Sequence, residues 1–112
     1  MKIADIEKKL KKAEQTYKEW LCAKAVYDRI MATDLLTLDE TTLVFAYYIR
    51  DGSVTDAAKS MNERGFRIGN RKYSSNDISA TIDSGDIADI ELKEVARWLL
   101  RDGRYLMDMI HN

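Results

Sequence analysis

Apolar side chains in the first thirty positions recur at alternating spacings of three and four. Ile3, Ile6, Leu10, Ala13, Tyr17, Trp20, Tyr27 and Met31 follow this rule, with Lys24 as the one polar member of the row. That is the seam of a coiled coil kept for about four heptads. Residues 2–32 also contain neither Gly nor Pro, so one long helix is predicted. In the first half the seam is narrow and flanked by Glu7, Lys8, Lys9, Lys11, Lys12 and Glu14, as expected for a two-stranded zipper or an arm lying on another subunit. From Trp20 onward Leu21, Ala23, Val26 and Ile30 widen it, so this half is expected to pack into a globular body. A projecting first half and a buried second half imply a homodimer, with Ile3, Ile6, Leu10, Tyr17 and Trp20 as dimerisation residues. The alternative is a helix that folds back along its whole length as one member of a monomeric bundle.

Further along, the periods shorten into separate helices. Thr37 and Glu40 have the spacing of a capping box that opens a helix over 38–50, with Leu43, Val44, Tyr47 and Tyr48 as its buried stripe and Asp51-Gly52 as its stop. Ser53, with Asp56 three positions on, caps a helix over 54–64 whose Ala57, Ala58 and Met61 face inward, and Gly65 ends it. The following FRIGNRKY carries Gly69-Asn70, suited to a tight turn, and reads as a small hairpin or wing. Ser74 or Ser75 then caps a short helix over 75–82. Its Ile78 and Ile82 point inward, while Asn76, Ser79, Ala80 and Thr81 are left to face out. A further helix over 89–101, capped by Asp86 or Asp89, carries Leu92, Val95, Ala96, Trp98 and Leu99. After Asp102-Gly103, a last amphipathic turn or two with Tyr105, Leu106, Met109 and Ile110 closes over the core or extends the dimer contact. The expected fold is therefore all-α: a long N-terminal helix, a trihelical helix-turn-helix core with or without a wing, and a C-terminal helix, in one domain spanning 1–112.

Composition adds the electrostatics. The 112 residues are 46% apolar, enough for a modest core, and the formal net charge of −1 argues against a protein that coats nucleic acid by bulk charge. The charge is uneven, however. Positions 64–73 hold four cations and no acid, whereas 83–94 hold Asp83, Asp86, Asp89, Glu91 and Glu94 against Lys93 alone. A basic patch of this kind can dock on phosphate if the fold turns the acids away. No run approaches the length of a membrane span and the first residues lack the apolar region of a secretory signal, so no membrane partner is expected and the cytoplasm is the expected compartment. A lone Cys22 and a lone His111 offer no metal cluster, and no cofactor is implied. Cys22 has no nearby histidine, His111 sits in a tail expected to fray, and the Asp39-Glu40 pair is explained by capping, so no enzyme is expected.

The pattern Ala57-Ala58-x-x-Met61-Asn62-x-x-Gly65, then the basic turn, then Lys72-Tyr73-Ser74 with Ile78 and Ile82, resembles the helix-turn-helix segment of the recombinase domain in large serine recombinases. It covers roughly thirty residues, 53–82. Tyr73 stands where the family has Trp and reads as core; Ser79 and Ala80 stand where it usually has Arg or Lys. About fifty residues precede the segment, too few for the catalytic serine domain, so the resemblance implies DNA binding without recombination chemistry. On that reading double-stranded DNA is the partner. Arg64, Arg67, Arg71 and Lys72 contact phosphates, and Ser75, Asn76, Ser79 and Thr81 meet the duplex from the last helix of the unit. The expected protein is a small dimeric transcriptional regulator or an accessory factor of a phage or other mobile element, this last part implied by the resemblance alone. The alternative is an adaptor or inhibitor that keeps the helix-turn-helix shape without DNA affinity, favoured by Asp77 and the near-neutral charge.

Overall fold

The computed structural model describes residues 2–111 and is built from six α-helices: α1 (Ile3–Met31), α2 (Glu40–Asp51), α3 (Val54–Glu63), α4 (Ser75–Ser84), α5 (Ile90–Arg101) and α6 (Arg104–His111). Among the described residues there is no strand, only a single antiparallel bridge between Ile68 and Arg71. The molecule measures 60 × 26 × 25 Å. The long dimension is α1, whose 29 residues run to about 43 Å at 1.5 Å per residue.

At the centre lies α2, and its sequence explains why. Leu43 to Ile49 are buried without interruption, so this helix has no solvent face over two turns and must be enclosed by others. It is wrapped by α1, α3, α4 and α5. The predicted stripe of Leu43, Val44, Tyr47 and Tyr48 is buried, and Phe45, Ala46 and Ile49 join it. The start of this helix differs from the expected capping box. Leu35–Thr37 form a turn of 3-10 helix in which the Thr37 hydroxyl donates to Asp34 O, Leu38 is extended, and Asp39 is the cap, accepting from Thr42 N at 3.3 Å and from the Thr42 hydroxyl. A carboxylate caps as well as a hydroxyl and favours the positive end of the helix dipole, so Asp39 takes the place expected of Thr37. At the other end Gly52, at φ +86°, provides the left-handed residue that lets its N–H reach Tyr48 O.

The second half of α1 packs as expected: Ala23, Val26 and Ile30 are buried, with Trp20 and Tyr27 half-buried against the core. Leu21, expected to join them, is 45% exposed because it lies on the opposite side of the helix from that face. Lys24 stays at the edge, paired with Asp28 at 2.8 Å and lying over the Tyr27 ring. His111 does not fray. One ring nitrogen lies 2.8 Å from Met107 O and the other 3.0 Å from Arg50 O, and its ring meets Tyr27 edge-on at 5.0 Å, so it pins the end of α6 to the end of α2 and to α1.

Four of the five acids of the acidic segment are paired within the body, Glu94 being exposed. Arg29 of α1 holds Asp89 at 2.7 Å and Glu91 at 3.3 Å, Lys93 holds Asp86 at 3.0 Å, and Arg101 holds Asp83. All four pairs tie one helix to another or to a loop. None of them reaches a cation of the segment 64–72.

Candidate functional site

The three helices α2, α3 and α4 pack mutually, and α3, the intervening loop and α4 form the unit that the sequence singles out. Ser53 caps α3 by accepting from Asp56 N at 3.1 Å, and Ala57, Ala58 and Met61 are buried. Of the two candidate caps for α4, Ser74 takes the role, and Asp77 completes a capping box by accepting from Ser74 N at 2.8 Å. The far end of α4 is held by Arg97 of α5, which donates to Ile82 O at 2.8 Å and Gly85 O at 2.6 Å. Both ends of this short helix are thus fixed by side chains, and Ile78 and Ile82 seat it on the core at zero exposure.

Between the helices the chain forms a tight hairpin. Ile68 and Arg71 exchange N–H···O bonds at 2.8 and 3.1 Å, and Gly69 turns the corner at φ +60°. The expected wing is therefore one bridge wide. Its base is closed by Asn62, which donates to Tyr73 O at 3.0 Å and accepts from Tyr73 N at 2.7 Å. Tyr73, expected as core, is buried. Sequence reasoning named Asn62 only as part of the resemblance motif and gave it no structural role, although it is the only side-chain amide on α3 and stands beside buried Met61, where a polar group needs a partner.

The four cations of the segment have different surroundings. Arg64 lies over the Phe66 ring at 5.3 Å and donates to the Tyr47 hydroxyl at 3.2 Å. Arg67 donates to Phe66 O at 2.7 Å and Asn62 O at 3.2 Å, satisfying a carbonyl at the end of α3. Arg71 makes a two-pronged pair with Asp77 at 2.6 and 2.8 Å. That contact raises the Arg71 guanidinium above its ordinary range and, together with the bonds from Ser74, holds the Asp77 carboxyl far below the usual carboxylate range. Lys72 is exposed, and its ammonium makes no ion pair among the described residues. Arg64, Arg67 and Arg71 are exposed as well, so all four charged groups of the segment reach solvent, with the Arg71 charge offset by Asp77.

On α4 the outward face is narrower than expected. Asn76 and Ala80 are exposed, followed by Asp83 one turn on, whereas Ser75, Ser79 and Thr81 are half-buried on the flanks. At about 100° per residue, Ile78 and Ile82 define the inward direction; Asn76, Ala80 and Ser84 lie opposite it, with Asp83 at their edge. The surface so formed is a basic hairpin beside a short helix whose exposed face carries one amide, one methyl, one hydroxyl and one carboxylate.

On the remaining candidates, Cys22 is exposed, no group of three metal-ligating side chains occurs among the described residues, and no helix there is long and apolar enough to cross a membrane. Comparison of the chain with family models, with curated proteins and with solved structures found no match.

Proposed function

We propose that the protein binds double-stranded DNA through the α3–hairpin–α4 unit, as a small transcriptional regulator or accessory factor. The observation that carries this reading is the hairpin itself. Asn62 closes it at the base, Gly69 turns it at the tip, and it holds an acid-free run of cations in solvent beside the capped start of α4. A pre-formed basic ridge loses little conformational entropy on meeting a phosphate backbone, and the adjacent helix, at about 10 Å across, has the dimensions of a major-groove reader. Asp83, Asp86, Asp89 and Glu91 are engaged with Arg101, Lys93 and Arg29, which leaves the hairpin's charge uncovered by them. Resemblance to the recombinase helix-turn-helix segment supports the same reading and alone suggests a phage or other mobile element as its setting. Lys72 is the phosphate contact, and Asn76 the side chain placed to read a base edge.

Fluorescence anisotropy with a random duplex between 50 and 200 mM salt tests this. Lys72→Ala should weaken binding to every sequence and reduce the slope of log affinity against log salt by about 0.9, one phosphate's worth, while Asn76→Ala should relax sequence preference with the slope unchanged. Absence of binding at micromolar protein and low salt would sink the proposal. A second reading, an adaptor or inhibitor that binds another protein, is favoured by one observation: Arg71 is offset by Asp77, and the exposed face of α4 carries Asp83 and no cation. That failure in the anisotropy experiment would promote it.

A further inference from the structure

The first half of α1 carries an apolar stripe left open by the described residues: Ile3, Ile6, Leu10 and Tyr17 are 76%, 43%, 60% and 60% exposed. At about 100° of rotation per residue, this stripe centres about 155° around the helix from Ala23, Val26 and Ile30, the residues α1 buries in the body. It therefore runs on the side of α1 turned away from the body, and a second helix can lie along it without entering the contact those three residues make with the rest of the chain.

Charge says which helix that is. Taken as a seven-residue repeat, Ile3, Leu10 and Tyr17 share one core position and Ile6, Ala13 and Trp20 the other. The positions bordering the seam then fall on Lys2 and Lys9 along one edge and on Glu7 and Glu14 along the other. Among the described residues none of these four makes an ion pair within its own chain.

We propose that this arm pairs with the arm of a second copy of the chain, parallel and in register. In that arrangement each residue on the lysine edge faces the residue five positions on in the other copy, so Lys2 meets Glu7 and Lys9 meets Glu14, each twice by symmetry. An antiparallel pair would instead set lysine edge against lysine edge and glutamate edge against glutamate edge. With the bodies turned about 155° away from the seam, two copies side by side do not compete for the same space. Only about two heptads engage, so association falls in the ~1–100 µM range rather than the nanomolar. The inference is independent of the DNA-binding reading.

The test is sedimentation equilibrium of the full chain at about 100 µM, together with cysteine cross-linking. The expected mass is twice the 12.9 kDa chain. Leu10→Asp should return it to one chain with an unchanged thermal midpoint, since Leu10 is solvent-exposed in the single chain. Lys9→Glu should weaken the dimer at least several-fold, and Lys9→Glu combined with Glu14→Lys should restore it. On a Cys22→Ser background, Leu10→Cys should oxidise to a linked dimer, because facing core positions lie within disulfide reach, whereas Lys8→Cys on the outer face should not. A single-chain mass at all concentrations, a mass of three chains, or a dimer that Leu10→Cys fails to link would each overturn the proposal.

Discussion

Replacing Asn62 by alanine tests the clamp that gives the hairpin its shape. The side chain makes two hydrogen bonds to one residue, donating to Tyr73 O and accepting from Tyr73 N, and Tyr73 is 7% exposed. Deletion removes both bonds and leaves a main-chain donor and acceptor at a site with little access to water. Each neutral bond contributes about 1 kcal/mol net, and an orphaned buried partner costs about 1–3 kcal/mol, so a loss of about 2–4 kcal/mol is expected, the upper part only if the loop cannot relax. For a chain of 112 residues the unfolding entropy is about 0.24 kcal/mol/K, so the thermal midpoint should fall by about 8–16 °C. Urea unfolding followed by circular dichroism measures the free energy. Amide exchange gives a second readout: the Ile68 and Arg71 amides, which bond to each other's carbonyls, should lose protection well before those of Val44 or Phe45 in the core. Asn62→Asp keeps an acceptor for Tyr73 N but sets a carboxylate against Tyr73 O, and should cost at least as much as one lost bond. A loss under about 0.5 kcal/mol for Asn62→Ala, with hairpin exchange unchanged, would refute the clamp and with it the claim that the basic corner is pre-formed.

Three further outcomes follow from the same geometry. Thermal midpoints measured from pH 7 to pH 2.5 should fall below about pH 4: Thr42, Arg71, Lys93 and Arg29 hold the carboxyls of Asp39, Asp77, Asp86 and Asp89 respectively below their ordinary range, so the unfolded chain takes up protons first as pH drops. Asp89→Asn should be less stable than the parent at pH 7 and should lose less on acidification; a parent midpoint that stays level to pH 2.5 would contradict this. His111→Ala removes the ties to Arg50 O and Met107 O and the edge contact with Tyr27, and should cost about 1–2 kcal/mol in urea unfolding, where no change would mean that α6 holds its place by packing alone. Asp77→Asn relieves the offset on Arg71 and should tighten duplex binding and steepen its salt dependence by about one phosphate contact; weaker binding at equal stability would place Arg71 outside the interface.

How much of this was legible in the sequence depended on whether the signal was local. Helix ends set by a side chain three residues away were readable in part: Ser53 with Asp56 was read directly, whereas Ser74 and Asp89 were each one of two candidate caps. The start of α2 was misassigned, because the Thr37–Glu40 spacing pointed to Thr37 where Asp39 is the cap. The eight consecutive buried residues of α2, Thr42 to Ile49, were under-read because Phe45, Ala46 and Ile49 face partners distant in sequence, and a stripe rule assumes a solvent face that this helix lacks. At the candidate site, the cation cluster and the turn at Gly69 could be seen in advance. What each cation does could not, because Arg64 finds Tyr47 seventeen positions away and Arg71 finds Asp77 across a turn. His111 was misjudged for the same reason, its partner Arg50 being sixty-one residues back.

The distribution of charge partners supplies the last step. Within the body, cations are matched to acids on neighbouring elements: Arg29 to Asp89, Lys93 to Asp86, Arg101 to Asp83, and Arg97 to two main-chain carbonyls. A chain whose net charge is −1 can therefore still leave positive charge uncompensated wherever such matching stops. It stops at the hairpin, where Lys72 has no acid, and along the arm, where Lys2, Lys8, Lys9, Lys11 and Lys12 face solvent. Surface pairs contribute little to stability on their own, so leaving these groups unmatched costs the fold almost nothing, and the same groups are the ones able to act on another molecule. Their different neighbours are what the two proposals rest on. Lysine edges alternating with glutamate edges beside an apolar stripe suit a second copy of the same helix, whereas four cations with Asp77 as their one paired acid suit a polyanion.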